Sequence, residues 1–546
     1  MRLFEETYYP WIIVIVGLII FGSHLGVLPI NIMEARNFVT AREMILDGHW
    51  ILTTMNDAPR YEKPPLPTWL TAFSAMMFGI KNVAALRLPA VIITIALLLG
   101  VYTFSFKRLK FSKTQAFNGV LILATSFYML FSGRNGQWDI FTHGFMIFGI
   151  YYFFLLFESQ EKTYRNALLS GLFIGLSFMS KGPVSLFALF LPFVIAYGII
   201  YEFKSFKSKI IPLLILILIT IVLSAWWPYY IYLFDGNEAQ RIADKEANAW
   251  VNRNVRPFYY YWSFFTQSGI WTLPAFMGLL YPYMKPRVED LKGYQFTLLW
   301  TLIIVILLSV IPEKKSRYLL PVLIPLALNT SYYIKYLIDR FKELQNKERI
   351  PVYFNFGLIG LIAIAVPVLL FIQFKSVFET SLIWSVSASL VIPVIGILIF
   401  RALFRQNIQK VFYLTIAFVC AVMLLLLPLS SVVNTNKKYE EISALNTLAK
   451  KEKVKVYDLM NSAPELIWSY GEPLPIVYKT VDFVDYPEEE RFGLIVQQSS
   501  RDVFKDLFKD YNYELISEYY HNLSNEGKRG YKQRLTRDFY ILTKKK

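Results

Sequence analysis

Long uncharged apolar runs alternate with short polar links up to about residue 431, after which the chain becomes dense in Lys, Asp and Glu. A helix needs about 20 apolar residues to cross the hydrocarbon core of a bilayer. By that criterion the runs predict about 13 transmembrane helices, centred near residues 20, 95, 123, 148, 173, 194, 221, 273, 302, 327, 362, 391 and 420. The fifth, over roughly 166–180, is short and holds Ser170, Gly171, Gly175 and Ser177. The change of pattern divides the chain into a membrane domain, 1–431, and a soluble domain, 432–546. In the second, a helical stretch over 438–450 precedes strand-like runs at 454–457, 492–496 and 539–542, the pattern of a small α/β domain. It carries no phosphate-binding glycine motif, and Lys544-Lys545-Lys546 reads as a solvated tail.

Composition agrees with a membrane protein: 55% hydrophobic and only 18% charged residues are too apolar for a soluble chain of 546 residues. A net charge of +16 invites a nucleic-acid partner. Much of that excess sits in short links between apolar runs, where the positive-inside rule already expects it, so no nucleic-acid partner is expected. The single cysteine, Cys420, lies within an apolar run, which leaves no intramolecular disulfide and no thiolate metal cluster. The first run, 11–30, follows Glu5 and Glu6 and lacks the basic start and cleavage site of a signal peptide, so a retained anchor is expected.

Basic clusters at 107–113, 204–209, 285–292, 340–349 and 401–410 fall in alternate links, which puts them on one face, the cytoplasmic one. The N-terminus is then cytoplasmic, and an odd number of spans places 432–546 outside. Two outer links, 31–83 and 234–262, are too long to be mere connections. Residues 35–46 set Phe38, Ala41 and Ile45 on one side of a helix and Arg36, Arg42 and Glu43 on another, the pattern of an interfacial helix. Residues 66–78 are apolar but too short to span, which suggests a second interfacial or re-entrant segment. Together the two links would roof a site at the outer leaflet.

That face also carries ionisable residues where the orientation rule predicts few cations: Glu34, Glu62, Lys63, Arg87, Arg134, Asp139, Lys181, Arg253, Arg256, Lys314, Lys315 and Arg317. Such groups at membrane depth are costly unless paired and by default mark a functional site. Any one alone is more simply a snorkelling interfacial side chain. The set is not, because the links 134–139, 180–183 and 313–318 are too short to be ordinary polar loops. A surplus of cations calls for an anion, and lipid phosphate suits it: guanidinium forks bind phosphate oxygens bidentately and lysine adds a compact charge. In a transferase these cations would also stabilise charge on a departing phosphate. Glu34, Glu62 and Asp139 could activate or orient an acceptor, or hold a lysine in place, as the adjacent Glu62 and Lys63 suggest.

The runs Glu34-Ala35-Arg36, Ala41-Arg42-Glu43-Met44, Gly48-His49-Trp50 and Tyr61-Glu62-Lys63-Pro64-Pro65-Leu66, with Trp69, resemble the first outer loop of the lipid A aminoarabinose transferases and the related protein O-mannosyltransferases. The resemblance continues through Arg87-Leu88-Pro89, the 134–139 link, Lys181-Gly182-Pro183, Trp227-Pro228-Tyr229 and Lys315-Ser316-Arg317-Tyr318-Leu319-Leu320-Pro321, and so covers 31–325. It implies a GT-C fold, mainly α, with outer-face interfacial helices. The implied activity is an inverting transfer of a sugar, 4-amino-4-deoxy-L-arabinose-like or another pentose or hexose, from undecaprenyl phosphate to lipid A or another envelope acceptor. The implied setting is the periplasmic face of the bacterial inner membrane, with the chain acting as a monomer among membrane lipids. Glu34, Asp139 and Lys63 are the implied catalytic residues. Donor phosphate and substrate would fall to Glu62, Arg87, Arg134, Lys181, Arg253, Arg256, Lys315, Arg317 and Tyr318.

One departure matters. The family usually has Asp-Glu where this chain has Met33-Glu34. Glu34 takes over the acidic role, or Asp139 does, or no base is needed, since a phosphate acceptor is already anionic whereas a Ser or Thr hydroxyl gains from a base. The loss leans against protein O-glycosylation. No histidine occurs in 234–262, and the expected mechanism uses neither metal nor other cofactor. The alternative is a transporter or flippase for an anionic or polyprenyl-linked lipid, which would require midplane ionisable residues and internal repeats, neither of them evident. A scaffold or sensor would leave the outer cations unexplained.

Overall fold

The computed structural model describes residues 5–373, 375–431, 436–480 and 483–545. All thirteen expected centres fall in helical segments. Among the described residues, seven are long and apolar enough to cross a membrane: Val83–Lys107, Asp139–Glu158, Phe206–Phe234, Leu291–Val310, Asn346–Ile372, Leu382–Phe404 and Ile408–Ser430. The others are shorter, such as Glu6–Gly22 and Leu186–Ile200, or more polar, such as the fifth, Thr163–Lys181.

The residues that made the fifth span look weak are its packing seam. A Cβ on Gly171 would lie 2.6 Å from the Leu216 carbonyl oxygen, and one on Gly175 2.6 Å from Leu223 Cβ. Small residues here let the Thr163–Lys181 helix close on Ile210–Phe234, as membrane helices do when packing, not hydrophobicity, holds them together. Ser170 donates to the Gly149 carbonyl (2.9 Å) and Ser177 to that of Thr142 (2.7 Å), fastening the other side to Asp139–Glu158. The outer side of Ile210–Phe234 leaves Ile211, Leu214, Leu218 and Val222 exposed, a face suited to lipid.

The bundle has two chemically distinct ends. At one, Arg108 pairs with Glu158, Lys209 donates to the Ser159 carbonyl (2.9 Å), Lys292 lies over the Tyr201 ring and Arg287 binds Glu348 (2.9 Å). Four of the basic clusters therefore meet there. The long links gather at the other end. The first forms two helices, Ile32–Leu46 and Leu66–Phe78, around a short hairpin pairing Thr54–Met55 with Ala58–Pro59. Leu66–Phe78 leaves Phe73, Met76, Met77 and Phe78 exposed. Ile32–Leu46 departs from expectation: it is a helix, but its polar side is not in water, for Glu34, Arg42 and Glu43 are all buried. The second long link is mostly the helix Gly236–Asn252, of which only Ile242 is buried.

The cover over Ile32–Leu46 is the C-terminal domain. Its sheet orders Val456–Asp458, Arg491–Gln497, Thr536–Lys544 and Tyr511–Tyr520, with the first pair parallel and the rest antiparallel. The three expected strands lie within it, and the edge strand Tyr511–Tyr520 is an addition. The expected helix over 438–450 begins only at Ser443, because Tyr439 bridges to Tyr520 at the sheet margin. Lys544 closes the last strand; Lys546 lies outside the described residues, as do 432–435, where the expected domain boundary falls. The helix Pro464–Tyr470 sits on Ile32–Leu46: Phe38 and Trp468 meet edge to face at 5.5 Å, and Arg42 donates to the Ile467 carbonyl (3.4 Å). Asn56 exchanges two hydrogen bonds with the Leu474 backbone, at 2.8 and 2.7 Å.

Candidate functional site

The ionisable residues of the second end divide into a buried joint and a charged chamber. The joint is built on Glu34. Asn31 caps the Ile32–Leu46 helix and Glu34 closes the capping box from its third position. Arg87 then binds both carboxylate oxygens, at 2.7 and 2.9 Å, and the Gly136 N–H donates to one of them at 3.0 Å. Gly136 has to be glycine at this approach, since a Cβ would lie 2.5 Å from the Phe38 ring. Arg87 also donates to the Leu25 and Leu28 carbonyls, and Arg134 to those of Ile20, Ser23 and His24. Of these carbonyls only that of Ile20 belongs to the first helix, Glu6–Gly22, and the others lie in the turn that follows it, so the two guanidinium groups pin that turn. With the carboxylate of Glu34 1% exposed and both oxygens engaged, the joint positions the loop and offers nothing to a ligand. Glu34, Arg87 and Arg134, expected among the catalytic and substrate-binding residues, are thus set apart from the rest.

The chamber centres on Tyr318. Lys181, Lys315 and Arg317 all approach its ring, at 5.8, 5.7 and 5.7 Å, a cation–π arrangement that partly offsets their mutual repulsion. Lys181 is the last residue of its helix; Gly182, at φ +70°, turns the chain out and leaves the ammonium against Asp139 at the head of the preceding helix, Asp139–Glu158. The hub carboxylate on the other side is Glu313, which accepts from Lys315 (2.5 Å), Arg253 (3.0 Å) and the Tyr318 hydroxyl (3.1 Å). Burial works to raise the Glu313 carboxyl, but Lys315 and Arg253 outweigh it and hold it below the ordinary range. Backbone pairing of Val255 with Glu313 fastens this strip to the end of Gly236–Asn252. Lys314 is occupied by the Arg256 and Ile311 carbonyls (3.1 and 2.6 Å), while the Arg256 side chain is exposed.

The loop Arg60-Tyr61-Glu62-Lys63 is tied to the same helix: Tyr61 donates to Asp235 (2.8 Å), Lys245 pairs with Glu62 (3.4 Å) and Lys63 with Glu246 (3.0 Å). Arg60 lies over the Trp138 ring at 4.9 Å and donates to Thr40 (3.2 Å). Burial lowers its pKa to about 10, which still leaves it charged at neutral pH. Burial likewise raises Glu62, and Arg60 and Lys245 reverse the effect. Arg36, two residues beyond Glu34 and so on a different side of the helix, feels Glu62 electrostatically, together with Arg317 and Arg253.

Among the described residues, neither Arg36 nor Arg317 has a carboxylate within ion-pairing distance, whereas Lys63, Lys181, Arg253 and Lys315 each hold one. The sequence reading missed Arg36, Arg60, Glu246 and the acceptor role of Glu313. Arg36 stands inside a motif already singled out and Arg60 abuts one; nothing marks Glu246 on a helix rich in charge. Among the described residues, no group of His, Cys, Asp and Glu side chains is arranged to hold a metal ion.

Residues 62–229 match the dolichyl-phosphate-mannose-protein mannosyltransferase family. The undecaprenyl phosphate-alpha-4-amino-4-deoxy-L-arabinose arabinosyl transferase 1 of Proteus mirabilis is 26% identical over 346 residues, 61% of this chain and 60% of that protein. Its counterpart from Shewanella sediminis is 26% identical over 364 residues, 62% of this chain and 61% of that protein. The chain thus spans about three fifths of the length of the curated relatives it matches. The fold agrees over a longer stretch: the crystal structure of ArnT from Cupriavidus metallidurans bound to undecaprenyl phosphate superposes with a TM-score of 0.72 at 14% identity, covering 98% of both chains.

Proposed function

We propose, on the premise that the chain belongs with the polyprenyl-phosphate-dependent GT-C glycosyltransferases, that it moves a sugar from undecaprenyl phosphate to lipid A or another cell-envelope acceptor. The observation that carries this reading is the crowding of Lys181, Lys315 and Arg317 around one tyrosine ring, beside Lys63 and Arg253, at one end of a membrane bundle. The sugar is of the 4-amino-4-deoxy-L-arabinose class named for the relatives. The chamber end faces the periplasm and the basic end the cytoplasm, as the positive-inside rule requires.

In this reading the donor phosphate lies between the guanidinium forks of Arg36 and Arg317, neither of which holds a carboxylate among the described residues, and exchanges with Glu246 on Lys63 and with Glu313 on Lys315 and Arg253. The acceptor oxygen bonds to the anomeric carbon from the face opposite the phosphate, the carbon–oxygen bond to phosphate breaks, and the lipid phosphate leaves with the electron pair. The cations meet the charge gathering on it. Glu34 is held in the joint, so of the two carboxylates weighed for the acidic role Asp139 is the one at the chamber. A phosphate acceptor such as that of lipid A is anionic already and needs no base.

The test is mass spectrometry of lipid A and of the polyprenyl-phosphate pool in a deletion strain. Loss of an aminosugar-sized mass from lipid A with build-up of the sugar-bearing lipid supports both donor and acceptor. Build-up of the donor with unchanged lipid A moves the acceptor elsewhere, and no change in either pool overturns the transferase reading in favour of transport.

Two further outcomes follow from the chamber. Glu246→Gln removes a half-buried competitor for Lys63, and a pair of this exposure is worth about 0.2–1 kcal/mol. Undecaprenyl phosphate should therefore bind about 1.4- to fivefold more tightly, measured by titration in detergent; weaker binding would mean that Glu246 orients Lys63 instead. Transfer is also expected to proceed at full rate in EDTA, the cations supplying the charge a metal otherwise brings; inactivation reversed by a divalent ion would refute it.

A further inference from the structure

The link between Arg134 and Asp139 holds a concentration of buried polar groups that phosphate binding does not use. Asn135 Oδ1, Gln137 Nε2, Trp138 Nε1 and Asp139 Oδ2 are all buried without a hydrogen-bond partner, in residues only 6, 2, 1 and 2% exposed. Buried polar groups in folded proteins are almost always paired, with protein, water or ligand. Here four go without in five consecutive residues. Looseness of the link is not the cause. The residue between them, Gly136, is pinned by both its backbone groups, its N–H to Glu34 (3.0 Å) and its carbonyl to Asn37 (2.8 Å).

The link borders the chamber. The Trp138 ring lies beneath the Arg60 guanidinium at 4.9 Å. Asp139 holds Lys181 through Oδ1, leaving Oδ2 open, with Arg317 near enough to act on it electrostatically. Two acceptor oxygens and two N–H donors beside an aromatic ring do not suit an anion, which the acceptors would repel. They match a ring bearing several hydroxyls, each of which both donates and accepts, and a carboxylate oxygen would take an ammonium substituent more strongly still.

We propose that residues 135–139 form the glycosyl-recognition wall of the site, binding the polyhydroxylated or amino-bearing ring of the donor while the cations hold its phosphate. This rests on the transferase reading and divides the donor between two sets of residues. Asp139 Oδ2 and Asn135 Oδ1 accept from the ring substituents; Gln137 and Trp138 donate to them.

The test compares lipids retained by the full-length protein purified from its native membranes, measured by mass spectrometry as the ratio of sugar-bearing to bare polyprenyl phosphate. Trp138→Phe keeps the ring and removes the N–H, and Gln137→Glu keeps the volume and exchanges the donor for an acceptor. Each should lower the ratio about tenfold, the discrimination expected when a buried group loses its partner, with total lipid unchanged. An unchanged ratio overturns the proposal, and so does a proportional loss of both lipids, which marks a merely structural segment. Retention of bare lipid alone by the wild type also overturns it. If the wild type retains no polyprenyl phosphate of either kind, it is the transferase reading that fails.

Discussion

Arg87→Met should destabilise the protein by about 3–5 kcal/mol, because it strands the Glu34 carboxylate in a site with almost no access to water. In the native protein that carboxylate is 1% exposed and leans on Arg87 through both oxygens. The same substitution frees the carbonyls of Leu25 and Leu28 in the turn that follows the first helix. Adding Glu34→Leu removes the stranded charge and should recover part of the loss, but not all of it, since those carbonyls and the Gly136 N–H stay unpaired. Thermal unfolding in detergent measures both. Stability equal to wild type in the single variant would show that the pair contributes nothing.

Arg317→Ala should lower the rate of transfer by about 10²–10³-fold while leaving the fold intact, the usual consequence of removing one pre-aimed group that stabilises developing charge. Its guanidinium is half-buried beside Tyr318 and has no carboxylate of its own, so no ion pair is lost with it. Arg317→Lys restores the charge but not the fork and should recover only a fraction. The discriminating measurement is the rate at saturating donor: a change confined to the apparent donor affinity would assign Arg317 to binding alone.

The two arginine-rich parts of the chamber end show how far the sequence can be read. The spans announced themselves by length and hydropathy, and even the doubtful fifth was marked by its glycines and serines, whose meaning as a packing seam appears only once Leu216 and Leu223 lie against them. The amphipathic pattern of 35–46 was also plain, but the medium it faces was not. Its cover comes from residues some four hundred positions away, which no local periodicity records. The same limit governs the site. Lys63, Asp139, Lys181, Lys315, Arg317 and Tyr318 stand in short motifs and do meet. Arg87 and Arg134 look no different in sequence, each an arginine at a helix end, and yet they turn toward carbonyls at and beyond the end of the first helix. What separates the two groups is which way one turn of backbone faces, and that is decided by packing.

The seating of Pro464–Tyr470 on Ile32–Leu46 also sets a timetable for the growing chain. Arg42 and Ile467 are 425 residues apart, and at about 5–20 residues per second a ribosome takes roughly 20–90 s to make that interval. Throughout that time the helix Ile32–Leu46 must wait without the cover that Trp468 and Ile467 give Phe38 and Arg42, long after the spans around it have been inserted. A chain that stops before residue 464 would contain every cation of the chamber and still present an unfinished surface, which membrane quality control can recognise and degrade.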